Sequence, residues 1–249
     1  MTDRWRISAN LATLANALLG LGAILYTLAG NKLWAMLLIA CAIGFDGLDG
    51  MLSRRSPAPA GPFGRIADSV ADGITFGLAP GFLIAVHSYD AGTWHPWIPV
   101  FLALGAAYTA AAIARLTYFT ARAHDRPYFV GVPSPQSALA LVVVLLFHDT
   151  PAFQSVAPVG LLVGASVIAS MMVVPVRYPK IRRGAPLRFV AAATAGAAAV
   201  ALVPIQFRPG PGTVPFLVSD VGAIALLVGV AIYYLLGPFT VPRTAGGAA

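Results

Sequence analysis

Asp46, Asp49, Asp68 and Asp72 all fall in FDGLDGMLSRRSPAPAGPFGRIADSVADG, residues 45–73, between runs of membrane-grade hydrophobicity. The chain has nine acidic residues, every one an aspartate, so a short window holds four of them. On a helix, residues three or four apart share a face. Asp46, Asp49, Gly50 and Ser53 therefore form one stripe; Asp68 and Asp72 form another, with Gly64 one turn before. The connector SRRSPAPAGPFG (53–64) predicts an antiparallel helical hairpin whose stripes face each other and bring four carboxylates to one depth. Such a group repels itself and is costly in low dielectric, so protonation, basic partners or metal must compensate it. Oxygen-only ligands with no cysteine or histidine nearby suit hard divalent cations. Two such ions on four aspartates can stabilise the attacking and leaving oxygens of a phosphoryl transfer. Gly50 and Gly64 leave room for a ligand against the backbone, and Arg54 stands ready for phosphate oxygens. A proton or cation path is a second functional reading of carboxylates in a membrane segment. Helix capping, or pairing with Arg54, Arg55 and Arg65, is the purely structural one.

The elements that must carry these residues are membrane helices. The chain is 58% hydrophobic and 10% charged, with a mean hydropathy of +0.80, whereas a soluble domain carries about 25% charged residues. A bilayer core takes about 20 apolar residues per helical span. Runs of that length or near it lie at 11–29, 33–52, 66–88, 97–119, 136–148, 156–175, 187–206 and 216–237, the fifth being short. The expected fold is an all-α polytopic bundle of about eight spans. With both ends cytoplasmic, every lysine and arginine except Lys32 and Arg208 falls on the cytoplasmic side, as the positive-inside rule requires. The polar, basic start MTDRWRISAN precedes a run long enough to span and stay, which predicts no cleaved leader. A lone cysteine, Cys41, excludes a disulfide framework. The net charge of +7 is spent on loops that meet anionic headgroups, not on a nucleic-acid surface. Trp5, Trp34, Trp94 and Trp97 sit near span ends, as interfacial anchors do.

The stretches Asp46-Gly-Leu-Asp49-Gly50-Met-Leu-Ser53-Arg54 and Gly64-Arg-Ile-Ala-Asp68-Ser-Val-Ala-Asp72 resemble the signature of the CDP-alcohol phosphotransferases, D-x2-D-G-x2-A-R … G-x3-D-x3-D. Ser53 departs from it, standing where the family usually has alanine. The resemblance implies a core of six transmembrane helices, often a homodimer, with a cytoplasm-facing site open to lipid. It implies transfer of a phosphatidyl-type group from a CDP-lipid to an alcohol with release of CMP, assisted by two divalent cations, Mg²⁺ or Mn²⁺. By position, Asp46, Asp49, Asp68 and Asp72 are similar to the metal ligands, and Asp72 also to the general base. Gly50, Ser53, Arg54 and Gly64 would lie at the nucleotide and diphosphate. Thr13 and Asn16 match the polar face of the family's first helix. A transporter accounts for none of Gly50, Arg54 and Gly64 at their spacings.

Three further stretches are similar to the family's phosphatidylserine synthase branch: DSVADGITFGLAP (68–80), YFVGVPSP (128–135) and RYPK (177–180). That likeness implies CDP-diacylglycerol as donor and L-serine as acceptor, with glycerol 3-phosphate or inositol phosphate as the alternatives. Where that branch commonly reads arginine-leucine-x-arginine-phenylalanine-asparagine, the chain has Arg115-Leu-Thr-Tyr118-Phe-Thr120. Arg115 is kept, to snorkel to headgroups or to bind the serine carboxylate or a lipid phosphate. The expected organisation is a core over residues 1–186, followed by two further spans and a cytoplasmic tail over 187–249. The membrane is expected to be the cytoplasmic one, with the site facing the cytoplasm.

Overall fold

A computed structural model describes residues 3–55, 61–87, 96–123, 128–148, 157–179 and 228–240. Helix α1 (Asp3–Leu28) is followed after a tight turn by α2 (Lys32–Arg55). The turn is a Schellman cap: Gly30 donates its N–H to the Thr27 carbonyl at 3.0 Å and Asn31 donates to Tyr26 at 2.8 Å. Gly30 takes φ of 77° there, which glycine adopts without a Cβ penalty. The Asn31 side chain then accepts from the Trp34 N–H at 3.4 Å and so caps the start of α2.

The third span is one continuous rod in three parts. Helix α3 (Pro62–Asp72) runs into a π-helical segment (Gly73–Leu78) and then α4 (Ala79–His87). Helix α5 (Ile98–Tyr118) ends in a second π-helical turn (Phe119–Ala123). Helices α6 (Ser134–His148), α7 (Ala157–Val173) and α8 (228–236) follow, α8 closing with a 3₁₀ turn at Gly237–Thr240. The first six expected spans correspond to α1, α2, α3–α4, α5, α6 and α7. The seventh, 187–206, lies outside the described residues, as does the eighth before residue 228.

The core is a seam of fully buried residues drawn from most helices: Ile39 of α2, Phe76 of the π segment, Leu83 of α4, Tyr108 of α5, Leu141 of α6 and Leu161 of α7. The outer faces are equally apolar. Leu11, Leu14, Leu18 and Leu25 of α1 and Val159, Val163 and Val167 of α7 stand exposed. In water such a surface would drive association; in lipid it matches its solvent. Among the described residues, three segments, Ile7–Leu28, Phe63–Val86 and Ile98–Ala121, are long and apolar enough to cross a bilayer. The chain is an integral membrane helical bundle.

One short non-helical feature accompanies the helices. The connectors after α5 and α7 pair as a short antiparallel ladder, β1 (Tyr128–Val130) against β2 (Arg177–Pro179), with Phe129 opposite Tyr178. Helix α1 packs along α2 and against α3, while α2 turns its contacts to α4 and α6. The two aspartate stripes thus meet with α1 against both their helices.

Candidate active site

Asp46 comes from α2, and Asp68 and Asp72 from α3. One carboxylate oxygen of each lies within 4.8 Å of the others. Asp72 is buried, at 8% exposure, and Asp46 and Asp68 are half-buried. Ligand oxygens on one hard cation sit about 2.0–2.6 Å from it, so they lie no more than about 5 Å apart. The cluster fits that spacing, and its donors are all carboxylate oxygens, the set such a cation prefers. Asp49 follows Asp46 by one helical turn, but its side chain lies outside the described residues, as do those of Ser53 and Arg54.

Asp72 is fixed from α1. Asn16, 1% exposed, donates from Nδ2 to Asp72 Oδ1 at 2.9 Å. The register that allows this is set one turn away on each helix. The Thr75 hydroxyl donates to the Asn16 carbonyl at 2.9 Å. A Cβ placed on Gly20 would stand 2.8 Å from Thr75 Cα, so only glycine lets α1 come this close. On the opposite side, α5 hydroxyls satisfy carbonyls of the π segment: Tyr108 donates to Phe76 and Thr109 to Gly77, each at 3.3 Å. The segment after Asp72 is thereby gripped from both flanks. π turns inside helices recur at functional sites. The Thr13 hydroxyl, in contrast, donates to the Ala9 carbonyl of its own helix at 3.2 Å.

The three aspartates open onto a cavity of about 230 Å³ that also receives Arg115, Thr120 and Gln136. Arg115 does not snorkel. It is 6% exposed, donates from Nη1 to Ser134 Oγ at 2.8 Å, and lies 5.8 and 5.7 Å from the ring centres of Phe119 and Phe129. The β1–β2 ladder carries Phe129 to this place. Thr120 shares a hydrogen bond of 2.7 Å with Ser69, another lining residue. Tyr118, by contrast, is exposed and does not line the cavity. Gly50 and Gly64 are part-exposed and likewise stand outside the lining.

Sequence reasoning missed Ser69, Phe129 and Gln136. Gln136 carried a signal, a lone amide at the start of the apolar run after SP. Ser69 carried a weaker one, one residue on from Asp68 on an amphipathic helix. The arrangement pairs an anionic, all-oxygen cluster with a buried guanidinium in one cavity, which suits a ligand bearing both a metal-chelating phosphate and an anionic group.

The model of the CDP-alcohol phosphatidyltransferase family matches residues 6–174, from α1 through the end of α7. The chain belongs to the CDP-alcohol phosphatidyltransferase family. It is thus a transmembrane transferase of phospholipid biosynthesis. The chain is 30% identical over 174 residues to the CDP-diacylglycerol–serine O-phosphatidyltransferase of Bacillus subtilis, covering 70% of this chain and 90% of that one. It is 28% identical over 173 residues to the archaetidylserine synthase of Methanothermobacter thermautotrophicus, covering 69% of each. A CDP-diacylglycerol–serine O-phosphatidyltransferase of Helicobacter pylori (strain J99) is 28% identical over 178 residues, covering 70% of this chain and 72% of its own. The family segment includes all three clustered aspartates and Asn16, Arg115 and Gln136; β2 and α8 follow it.

Proposed function

We propose that this enzyme transfers the phosphatidyl group of CDP-diacylglycerol to the hydroxyl of L-serine, giving phosphatidylserine and CMP. The observation that carries the reading is the single cavity shared by the aspartate cluster and buried Arg115. The activities for which the Bacillus and Helicobacter relatives are named support the same donor and acceptor. Asp46, Asp49, Asp68 and Asp72 would hold two divalent cations, Mg²⁺ or Mn²⁺. When bound, these supply charge neutralisation of the diphosphate and polarisation of its phosphorus–oxygen bonds.

The chain's own groups do the rest. Asp72, oriented by Asn16, accepts the proton of the serine hydroxyl. The serine oxygen bonds to the phosphorus that carries the lipid, the bond from that phosphorus to the bridging oxygen breaks, and the electron pair leaves on CMP. Arg115 binds the serine carboxylate, and its contacts with the rings of Phe119 and Phe129 hold it for that task. Gly50, Ser53, Arg54 and Gly64 border the nucleotide and diphosphate, and Thr13 supports the polar face of α1. The excess of lysine and arginine on one set of loops supports a site facing the cytoplasm in the cytoplasmic membrane. Residues 1–186 form the catalytic core in this reading and 187–249 an addition to it, with the enzyme a homodimer as the family resemblance implies.

The test incubates purified protein in detergent with CDP-diacylglycerol and Mg²⁺ or Mn²⁺. L-serine, glycerol 3-phosphate and inositol phosphate are supplied in parallel, and CMP is measured. CMP is expected with serine alone; release with either phosphate instead of serine would replace the acceptor.

A further inference from the structure

Two polar atoms on the cavity wall have nothing to bind. Arg115 Nε and Gln136 Oε1 are both buried without a hydrogen-bond partner, and both residues line the cavity with the aspartates. A buried polar group left unsatisfied costs about 1–3 kcal/mol, and each such group in a native structure asks for an explanation. These two are chemically opposite. Nε is a donor on a cation; Oε1 is a neutral acceptor. One ligand satisfies both if it brings a carboxylate to the first and an ammonium to the second.

The wall is also built to hold its pose. Ser134 accepts from Arg115 Nη1 at 2.8 Å and lies in the same first turn of α6 as Gln136. The start of α6 therefore fixes the guanidinium and presents the amide together. Tyr234 of α8 reinforces it, its hydroxyl donating to Ser137 Oγ at 3.4 Å. Position 120, where the synthase branch of the family commonly has an asparagine, is a threonine here. Its hydroxyl is shared with Ser69, so an amide enters this cavity from α6 instead.

We propose that Gln136 is a specificity-determining residue for the acceptor, its Oε1 accepting a hydrogen bond from the acceptor's ammonium while Arg115 Nε donates to the carboxylate. The cavity thus selects a zwitterionic hydroxy amino acid over a hydroxy acid without an amine. The assignment rests on the serine reading above.

Its test is steady-state kinetics of the full-length protein with CDP-diacylglycerol and Mg²⁺, comparing L-serine with 3-hydroxypropanoate, which lacks only the ammonium. In Gln136→Leu, KM for serine is expected to rise about 10- to 100-fold, the worth of one hydrogen bond to a charged group. KM for CDP-diacylglycerol should stay within about twofold, since only the acceptor contact is lost. The preference for serine over 3-hydroxypropanoate should shrink by the same factor as serine binding. Gln136→Glu keeps the acceptor atom and adds charge, so it should hold or tighten serine, and it serves as the folding control. A serine KM unchanged in Gln136→Leu would overturn the assignment. So would a collapse in Gln136→Glu equal to that in Gln136→Leu, with thermal unfolding like the parent's, because position 136 would then act as a donor. A parent that uses serine alongside either result leaves the serine reading standing. A parent that releases CMP with glycerol 3-phosphate and not with serine sinks both.

Discussion

The Asp72 carboxylate is buried between α1 and the mouth of the cavity, with Asn16 on one of its oxygens. Its neighbours Asp46 and Asp68 add like charge within 4.8 Å, so the group is stable only with compensating cations or protons. In the proposed mechanism Asp72 moves the acceptor proton, and Asp46 is a ligand with no proton to move. Asp72→Asn and Asp46→Asn are expected to lower CMP release by about 10²- to 10⁴-fold, the range for a lost general base or its equivalent in charge stabilisation. Both variants should keep the parent's thermal unfolding in detergent, since each removes a charge from a self-repelling cluster. Either variant retaining full activity would sink the role given to that residue. Asn16→Leu tests positioning alone. It is expected to lower kcat by about tenfold, the equivalent of about 1.4 kcal/mol, with KM for the acceptor little changed. A change confined to KM would instead place Asn16 on a substrate.

At the scale of elements, the spans were legible and their seating was not. Apolar runs of bilayer length gave α1 to α7 because hydropathy needs only composition over a window. The i, i+3 and i, i+4 spacings put Asp46 on one stripe and Asp68 and Asp72 on another, and those three do converge. What composition could not reveal is how the helices pass one another. Gly20 closes the first-helix pattern that also holds Thr13 and Asn16, but its role is spatial: it permits the approach of α1 to Thr75 that places Asn16 on Asp72. The π segment carries no sequence mark beyond Gly73 and Gly77, and the β1–β2 ladder is three residues on each side, too short for a periodic signal. Gly20→Leu is the test of this seating. The side chain would have to displace Thr75 backbone, an overpacking that costs typically about 1–3 kcal/mol. The expected outcome is a lowered unfolding temperature together with a fall in kcat like that of Asn16→Leu. A stable, fully active Gly20→Leu would show that the close approach is dispensable for catalysis.

For the whole molecule, the question is which side of the membrane meets the carboxylates. The elements that carry them, the C-terminal part of α2 and the short α3, also carry Arg54, Arg55 and Arg65. The C-terminal end of α5, the start of α6 and the end of α7 gather at the same end, tied by the cavity and the β1–β2 ladder. Helix α8, beyond the family segment, joins this end too: Tyr233 stacks on Tyr178 at 5.6 Å between ring centres. In the orientation proposed above, which follows from the positive-inside bias, this end meets the cytoplasm, where a water-soluble acceptor and a nucleotide product are at hand. Cys41 is the only cysteine, so Cys41→Ser gives a background for single-site labelling. In intact cells a membrane-impermeant maleimide is expected to label Ser88→Cys, in the connector after α4, and not Ser56→Cys, in the connector after α2. Permeabilisation should expose Ser56→Cys. Labelling of Ser56→Cys in intact cells would put the aspartate cluster on the outer side and separate the enzyme from a cytoplasmic supply of serine.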